Sequence, residues 1–383
     1  MKQGWEIKKL GEVCEIKTGK KDVNQGNPDG NYPFFTCARE HTFSDTFSFD
    51  TEALLIAGNG DVGNVSYYKG KFEAYQRTYV LFDFKGIQPR FLFRVLDGTL
   101  KQVMAQSKLG NTMPYIKLGM LKEFEIPLPP LPEQQRIVSI LDEAFAAIAK
   151  AKANAEQNLK NAKELFESYL QGVFENKGEG WEIKTLGEVS KINYGYTEKA
   201  SFDEVGPKFL RITDIQENGV DWDTVPYCKC SDKDLPKYKL EKGDIVFART
   251  GATTGKSYLI DNPPISVFAS YLIRLRMNSI NEFIPEFISY FFQTKTYWDK
   301  INAGISGSAQ GGFNATKLGE LEFHFPKSKT EQQAIVRQLD ALRTETQKLE
   351  AVYQKKMDDL EELKKSILQK AFAGELKTSQ EVV

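Results

Sequence analysis

The chain is poor in the side chains that most hydrolytic and metal-dependent chemistry needs. Only 2 His and 4 Cys occur among its 383 residues. No paired-carboxylate motif accompanies them, so a hydrolytic triad or a metal nuclease has no footing. A structural zinc site wants four ligands, usually paired two to four residues apart. Cys228 and Cys230 lie close in sequence, Cys14 and Cys37 lie far from them, and the spacing matches no such site. Reduced thiols in a cytoplasmic protein are the expected state. No apolar run approaches about 18 residues, which argues against a membrane span. The opening Met1-Lys2-Gln3-Gly4-Trp5 carries no apolar signal core. Charge of one sign is missing too: 51 Lys and Arg oppose 52 Asp and Glu, for a formal net charge of −1. A nucleic-acid binder usually shows a basic excess, although local patches and partner subunits can supply the field instead.

What the chain does have is a repeat. Gly4-Trp5-Glu6-Ile7-Lys8-Lys9-Leu10-Gly11-Glu12-Val13 returns 176 residues later as Gly180-Trp181-Glu182-Ile183-Lys184-Thr185-Leu186-Gly187-Glu188-Val189. Glu133-Gln134-Gln135-Arg136-Ile137-Val138 returns 198 residues later as Glu331-Gln332-Gln333-Ala334-Ile335-Val336. The ends of the repeat are shared and the second middle is longer. That pattern suggests one scaffold carrying two different heads. Hydrophobic residues make up 41% of the chain, enough for two domains with real cores.

Residues 1–130 read as short strands rich in β-branched and aromatic residues, punctuated by Gly, Asn and Asp. A short helix is expected over 89–96. Prolines 127, 129 and 130 hold off a helix until Pro132, which suits a first helical position. From there to about Phe174 apolar and small residues keep a seven-residue rhythm: Ile137, Leu141, Ala144, Ile148, Ala151, Ala155, Asn158, Ala162, Leu165 and Tyr169. This is a coiled-coil seam on a helix of roughly 60 Å. The second half repeats the plan, with strands from about Trp181 to Pro326 and a mostly helical stretch over 281–298. Thr330 and Gln333 form an expected capping box. The helix beyond them carries Ile335, Leu339, Leu342, Thr346, Leu349, Tyr353, Lys356, Leu360, Leu363 and Ile367, each 198 residues beyond a first-seam position. The first seam is small in its middle and the second is large, so the two helices are expected to pack on each other, antiparallel. Asn158 and Lys356 interrupt the seams at equivalent places, where a polar residue often fixes register. The expected fold is α+β: two pseudo-symmetric β-rich globular domains separated by a pair of long antiparallel coiled-coil helices. Its boundaries are 1–130, a helix in 131–178, 179–327, a helix in 328–377, and a tail over 378–383.

Three motifs resemble chemistry without its context. Gly58-Asn59-Gly60-Asp61-Val62-Gly63 fits G-x-G-x-x-G after a strand. A dinucleotide site also needs a helix to begin there, and the following residues are β-prone, which favours a hairpin. Gly251-Ala252-Thr253-Thr254-Gly255-Lys256-Ser257 ends like a phosphate loop but is one residue short between its glycines. Asn262-Pro263-Pro264-Ile265 lacks the aromatic fourth residue that a base-flipping amino-methyltransferase stacks on its target. Both glycine loops still offer backbone N–H groups, hydroxyls and a base, suited to phosphates and base edges.

Together these features resemble the DNA-specificity subunit of type I restriction–modification systems. The residues that carry the resemblance are the two Gly-Trp-Glu openings, the exit Ile126-Pro127-Leu128-Pro129-Pro130-Leu131-Pro132-Glu133-Gln134-Gln135-Arg136, and Leu363-Lys364-Lys365-Ser366-Ile367-Leu368-Gln369-Lys370-Ala371-Phe372-Ala373-Gly374-Glu375-Leu376. The second exit, Phe325-Pro326-Lys327-Ser328-Lys329-Thr330, has lost most of the prolines. The resemblance implies a non-catalytic subunit whose two target-recognition domains each read one half of a split duplex site. It implies that the helices set the gap and dock two methyltransferase subunits, with restriction–translocase subunits joining that core. S-adenosylmethionine, ATP and magnesium would belong to those partners, and no cofactor to this chain. Base readout favours Arg, Lys, Asn and Gln on loops, with Ser and Thr helping. The candidates are Lys20, Lys21, Arg39, Asn59, Lys69, Arg77, Lys108 and Asn111 in the first domain, and Arg211, Arg249, Thr250, Thr253, Lys256, Ser308 and Gln310 in the second. Tyr194 and Tyr196 either stack on the nucleic acid or pack in the rim. Two rival readings remain: a pseudo-symmetric adaptor that binds only proteins, and a nucleotide-dependent enzyme resting on the glycine loops.

Overall fold

Gly4 and Gly180 take φ of 85° and 84°, a left-handed turn that glycine enters without penalty, and both repeats start from that bend. The computed structural model describes residues 3–106, 115–176, 178–216, 219–279, 281–306 and 312–376. In the first half the order is β1 (Glu6–Lys9), α1 (Leu10–Val13), β2 (Glu15–Thr18), β3 (Tyr32–Phe35), β4 (Thr42–Ser44), β5 (Phe49–Ala57), β6 (Val65–Ala74), β7 (Thr78–Phe82), α2 (Pro89–Gln106), α3 (Leu118–Lys122), β8 (Glu125–Leu128) and the long α4 (Leu131–Glu175). The second half follows with β9 (Trp181–Thr185), α5 (Leu186–Val189), β10 (Ser190–Tyr194), β11 (Lys208–Leu210), β12 (Ile215–Gln216), β13 (Gly219–Val220), α6 (Leu235–Tyr238), β14 (Ile245–Ala248), β15 (Ser257–Leu259), β16 (Ser266–Phe268), β17 (Leu272–Met277), α7 (Pro285–Phe291), α8 (Lys295–Ser306), α9 (Ala315–Gly319), β18 (Glu322–Pro326) and the long α10 (Lys329–Ala373).

The two halves share one topology. The entry strand of each pairs antiparallel with its exit strand, β1 with β8 and β9 with β18. The main sheets run β2-β7-β5-β6-β3-β4 and β10-β17-β14-β15. Each half also holds one parallel pair, β3 with β6 and β11 with β16. The alternating apolar residues of the central strands, Leu54 and Ile56 in β5 and Ile245 and Phe247 in β14, bury one face in each core.

The chain divides into two compact units, Met1–Glu156 with Gln354–Val383, and Gln157–Tyr353. The division falls inside the long helices, so each unit owns a stretch of both. In the first unit Ile137 and Leu141 of α4 share a core with Ile367, Leu368, Ala371 and Phe372 of α10, over Phe91 and Leu92 of α2. Arg136 donates to the Leu376 carbonyl at 3.2 Å, and Lys152 meets Glu361 at 2.5 Å. In the second unit Phe166, Leu170 and Phe174 of α4 pack with Ile335, Val336 and Leu339 of α10. Tyr169 donates to Gln338 at 3.1 Å, and Arg343 covers the Phe166 ring. In each unit, then, the helices run antiparallel.

One glutamine in each unit fixes the start of its long helix. Gln134 is fully buried. Its Oε1 accepts from Gln88 N at 2.7 Å, while its Nε2 donates to Gly86 O at 3.2 Å and Pro129 O at 2.8 Å. Gln332 repeats this, accepting from Ile284 N and donating to Glu282 O and Pro326 O at 2.9–3.0 Å. A buried amide with both ends satisfied ties three chain segments to one point. Equivalent acids two turns on hold the neighbouring helix: Asp142 takes Arg94 at 2.6 Å, and Asp340 accepts from Tyr290.

Several local expectations need correcting. The helix expected over 89–96 runs on to Gln106, and the stretch 281–298 holds two helices, with Thr294 capping the second by accepting from Tyr297 N. The second long helix is capped by Ser328, whose Oγ accepts from Glu331 N, rather than by Thr330, which stands exposed. Of the seam positions, Ile137, Leu141, Ala155, Ala162, Leu339 and Thr346 are buried, and Ala144, Ile148, Ala151, Ile335, Leu342, Tyr353, Leu360 and Ile367 are half-buried. Leu165, Tyr169, Leu349 and Leu363 are 41–51% exposed, and Asn158 and Lys356 are exposed as well. Phe166, Leu170, Met357 and Lys364 stand closer to the contact. A straight helix drifts about 20° per heptad against a 3.5-residue period, so a strict heptad reading slides off the seam over this length.

Candidate nucleic-acid interface

Five segments meet at one place in the first unit, joined by backbone hydrogen bonds. Gly19 N donates to Thr78 O at 3.3 Å, Gly58 N to Arg77 O at 3.0 Å, Ile116 N to Gly58 O at 2.9 Å, and Tyr75 N to Phe35 O at 3.0 Å. The second unit makes the same junction. Gly195 N donates to Leu272 O at 3.1 Å, Arg249 N to Tyr271 O at 3.2 Å, Phe313 N to Arg249 O at 2.9 Å, and Ala269 N to Leu210 O at 2.9 Å. Its centre leaves no room for a side chain. A Cβ on Gly19 would sit 1.8 Å from the Ala74 oxygen, and one on Gly195 would sit 2.1 Å from the Ala269 oxygen.

Because the joints are backbone, side chains at matching positions are free to differ, and they do. Lys21 stands where the second unit has Tyr196, Gly58 where it has Arg249, Arg77 where it has Tyr271, and Thr36 where it has Arg211. No helix begins at either glycine loop: 58–64 closes the β5–β6 hairpin, and 249–256 closes β14–β15 around one 3-10 turn at Gly251–Thr253. Neither can hold a pyrophosphate at a helix start, which removes the ground for the nucleotide enzyme.

A sequence model of the type I restriction modification DNA specificity domain matches residues 2–160 and again 178–357. The chain belongs to this family. The EcoDI specificity subunit of Escherichia coli is 27% identical over 97% of this chain and 88% of its own length, and the MjaVIII specificity subunit of Methanocaldococcus jannaschii is 23% identical over 98% and 93%. The fold matches a chain solved in work on complex assembly and conformational transition of the type I R-M system, with a TM-score of 0.76, 20% identity, and 98% and 99% of the two chains covered. It also matches the HsdS subunit of Thermoanaerobacter tengcongensis, with a TM-score of 0.63, 19% identity, and 98% of each chain covered. The expected architecture of two β-rich domains and two long helices is thus the fold of a specificity subunit.

In this specificity subunit the junction gathers some candidates and leaves others out. Lys20, Arg39, Asn59 and Arg77 lie on its loops, and no ion pair engages the three cations among the described residues. Cys37 ties the Arg39 loop in, its carbonyl accepting from Asp61 N and its thiol donating to Arg77 O at 3.3 Å. Lys21 is committed inward. It pairs with the buried Glu73 at 3.6 Å and donates to Ser44 and Thr46. Lys69 stands mid-strand in β6 opposite Glu52, away from the junction. In the second unit Arg249 and Thr250 lie on the junction, with the Arg249 guanidinium 5.0 Å over the Tyr194 ring and the Tyr194 hydroxyl accepting from Ala315 N. Tyr196 lines a cleft beside Arg211. Thr253 is half-buried in the 3-10 turn, and Lys256 instead lines an open groove with Glu286, Trp298 and Arg343. Lys108, Asn111, Ser308 and Gln310 lie outside the described residues.

Sequence reasoning missed two residues here. Tyr271 is 62% exposed on the junction. Asp214 holds Arg211 by hydrogen bonds of 3.0 and 2.7 Å, and this bond raises the guanidinium pKa above its ordinary value. The Arg-x-x-Asp spacing was the available signal. Burial also raises the Tyr79 hydroxyl, which donates to Ile116 O at 2.8 Å and pins the junction from beneath.

Proposed function

We propose that this chain is the non-catalytic DNA-reading subunit of a type I restriction–modification complex. Each domain reads one half of a bipartite duplex site through its junction loops, and the long helices set the gap and dock two methyltransferase subunits. Restriction–translocase subunits join that core, and S-adenosylmethionine, ATP and magnesium act on the partners. The observation that carries this reading is the junction built twice from the same backbone bonds with different side chains. A fixed frame with exchanged side chains is what reading two unlike half-sites requires. The near-neutral chain suits a subunit whose partners supply much of the phosphate neutralisation.

The test is a chimera in which residues 1–130 are replaced by another specificity subunit's first domain, expressed with the methyltransferase subunits. Sequencing of methylated bases should show one half-site exchanged and the other intact. A motif unchanged in both halves refutes the reading. Duplex binding by the assembled complex should weaken steeply with salt, whereas an adaptor that binds only proteins would show no duplex binding.

A further inference from the structure

The cleft beside the second junction has a volume of about 370 Å³ and is lined by Tyr196, Glu198, Phe209, Arg211, Ser270 and Tyr271, among others. Arg211 is the residue after β11, where the first domain has Thr36. Its guanidinium is not free to wander. Nε donates to Asp214 Oδ2 at 3.0 Å and NH2 to Oδ1 at 2.7 Å, and the same Oδ2 accepts the Arg211 backbone N–H at 2.8 Å. The Asp214 side chain is 8% exposed and that of Arg211 is 35% exposed. The carboxylate therefore occupies the Nε edge of the fork from the protein side. The end-on edge, formed by NH1 and the second N–H of NH2, has no acceptor among the described residues.

An arginine locked at its Nε edge presents two parallel donors at its tip. Guanine is the base that offers two adjacent acceptors, O6 and N7, in the major groove. Adenine puts a donor beside its N7, so the same fork clashes with it. Pre-ordering by Asp214 removes much of the side-chain entropy that a free arginine loses on binding. Glu198 lines the same cleft and offers the acceptor that a cytosine N4 amino group needs. We infer that Arg211, buttressed by Asp214, reads a guanine in the half-site of the second domain, with Glu198 facing a cytosine. The inference rests on the DNA-reading function proposed above and adds the base class and the residue. Asp214 is a positioning residue, and Thr36 gives the first domain no counterpart of the device.

The experiment uses the complex of this chain with its methyltransferase subunits. The methylated motif of the wild type is determined first, and each guanine of the second half-site is then replaced in turn by 7-deazaguanine, which lacks the N7 acceptor. One replacement should weaken binding about 5–10-fold, since it removes one of the two acceptors of a bidentate pair. The Arg211→Ala complex should be insensitive to that same replacement and should methylate sites degenerate at that position. Arg211→Lys should not restore discrimination, because a point charge lacks the fork. Asp214→Asn should relax the same position without changing the first half-site. If no guanine of the second half-site is sensitive to 7-deaza replacement, or if Arg211→Ala keeps the motif unchanged, the inference falls while the DNA-reading function stands. If the wild-type complex methylates no bipartite motif at all, that function falls with it.

Discussion

Gln134 and Gln332 concentrate three chain segments on single side chains, and their loss should be felt locally. Leucine at either position keeps the volume but strands one N–H and two carbonyls. Stranded buried polar groups cost about 1–3 kcal/mol each before relaxation. Gln134→Leu should therefore destabilise the first unit by about 2–5 kcal/mol and Gln332→Leu the second, each read as a lowered urea midpoint for that unit. Gly19→Ala and Gly195→Ala should be worse, since a methyl cannot share space with the Ala74 and Ala269 carbonyls; protease sensitivity of the corresponding junction checks this. Burial pushes the Cys14 and Cys228 thiols from 9.0 up to about 12. The unfolded chain loses those protons first, so the stability they contribute is complete below pH 9 and is lost as pH rises towards 12. Denaturation midpoints should fall over that window, and Ellman's reagent should reach these two thiols only on unfolding. The repeated Glu-Gln-Gln was visible in the sequence, but its role was not, because nothing local says which segments a glutamine will meet.

At the scale of the elements, the long helices were legible because their period, their proline stop and their repeat offset agreed. They begin at Leu131 and Lys329, beside the proline exit and its repeat. The outer seam did not follow, since a strict heptad drifts off the contact face of a straight helix over about 68 Å. Position by position, then, the pattern overstates Asn158 and Lys356. Both are exposed, so Asn158→Leu and Lys356→Leu should change stability by no more than about 0.5 kcal/mol. Leu339→Ala, at a buried position, should cost about 2–5 kcal/mol. Thermal unfolding of the three variants separates a register-fixing role from an ordinary solvated face. The junction itself was half legible. Glycine loops beside basic residues marked it, while the backbone joints that make the two copies equivalent join residues far apart in sequence and leave no local trace.

For the whole molecule, the division into units matters more than the order of the repeats. The first unit is not closed by its own repeat, since Ile367, Leu368, Ala371 and Phe372 complete its core and the Leu376 carbonyl takes Arg136. Deleting residues from 354 onward should therefore open the first unit while the second keeps its protection, which hydrogen exchange resolved by peptide can follow. Supplying 354–376 as a separate peptide should restore protection in part. The same arrangement inverts the usual sequence of events on the ribosome, where N-terminal domains tend to finish first. The second unit is contiguous, Gln157–Tyr353, and can finish as soon as it emerges, whereas the first must wait until residues 354–376 have been translated. A message cut short before codon 354 thus yields a polypeptide with its earliest-made half still unfinished, a ready target for proteolysis rather than a reader with half its address.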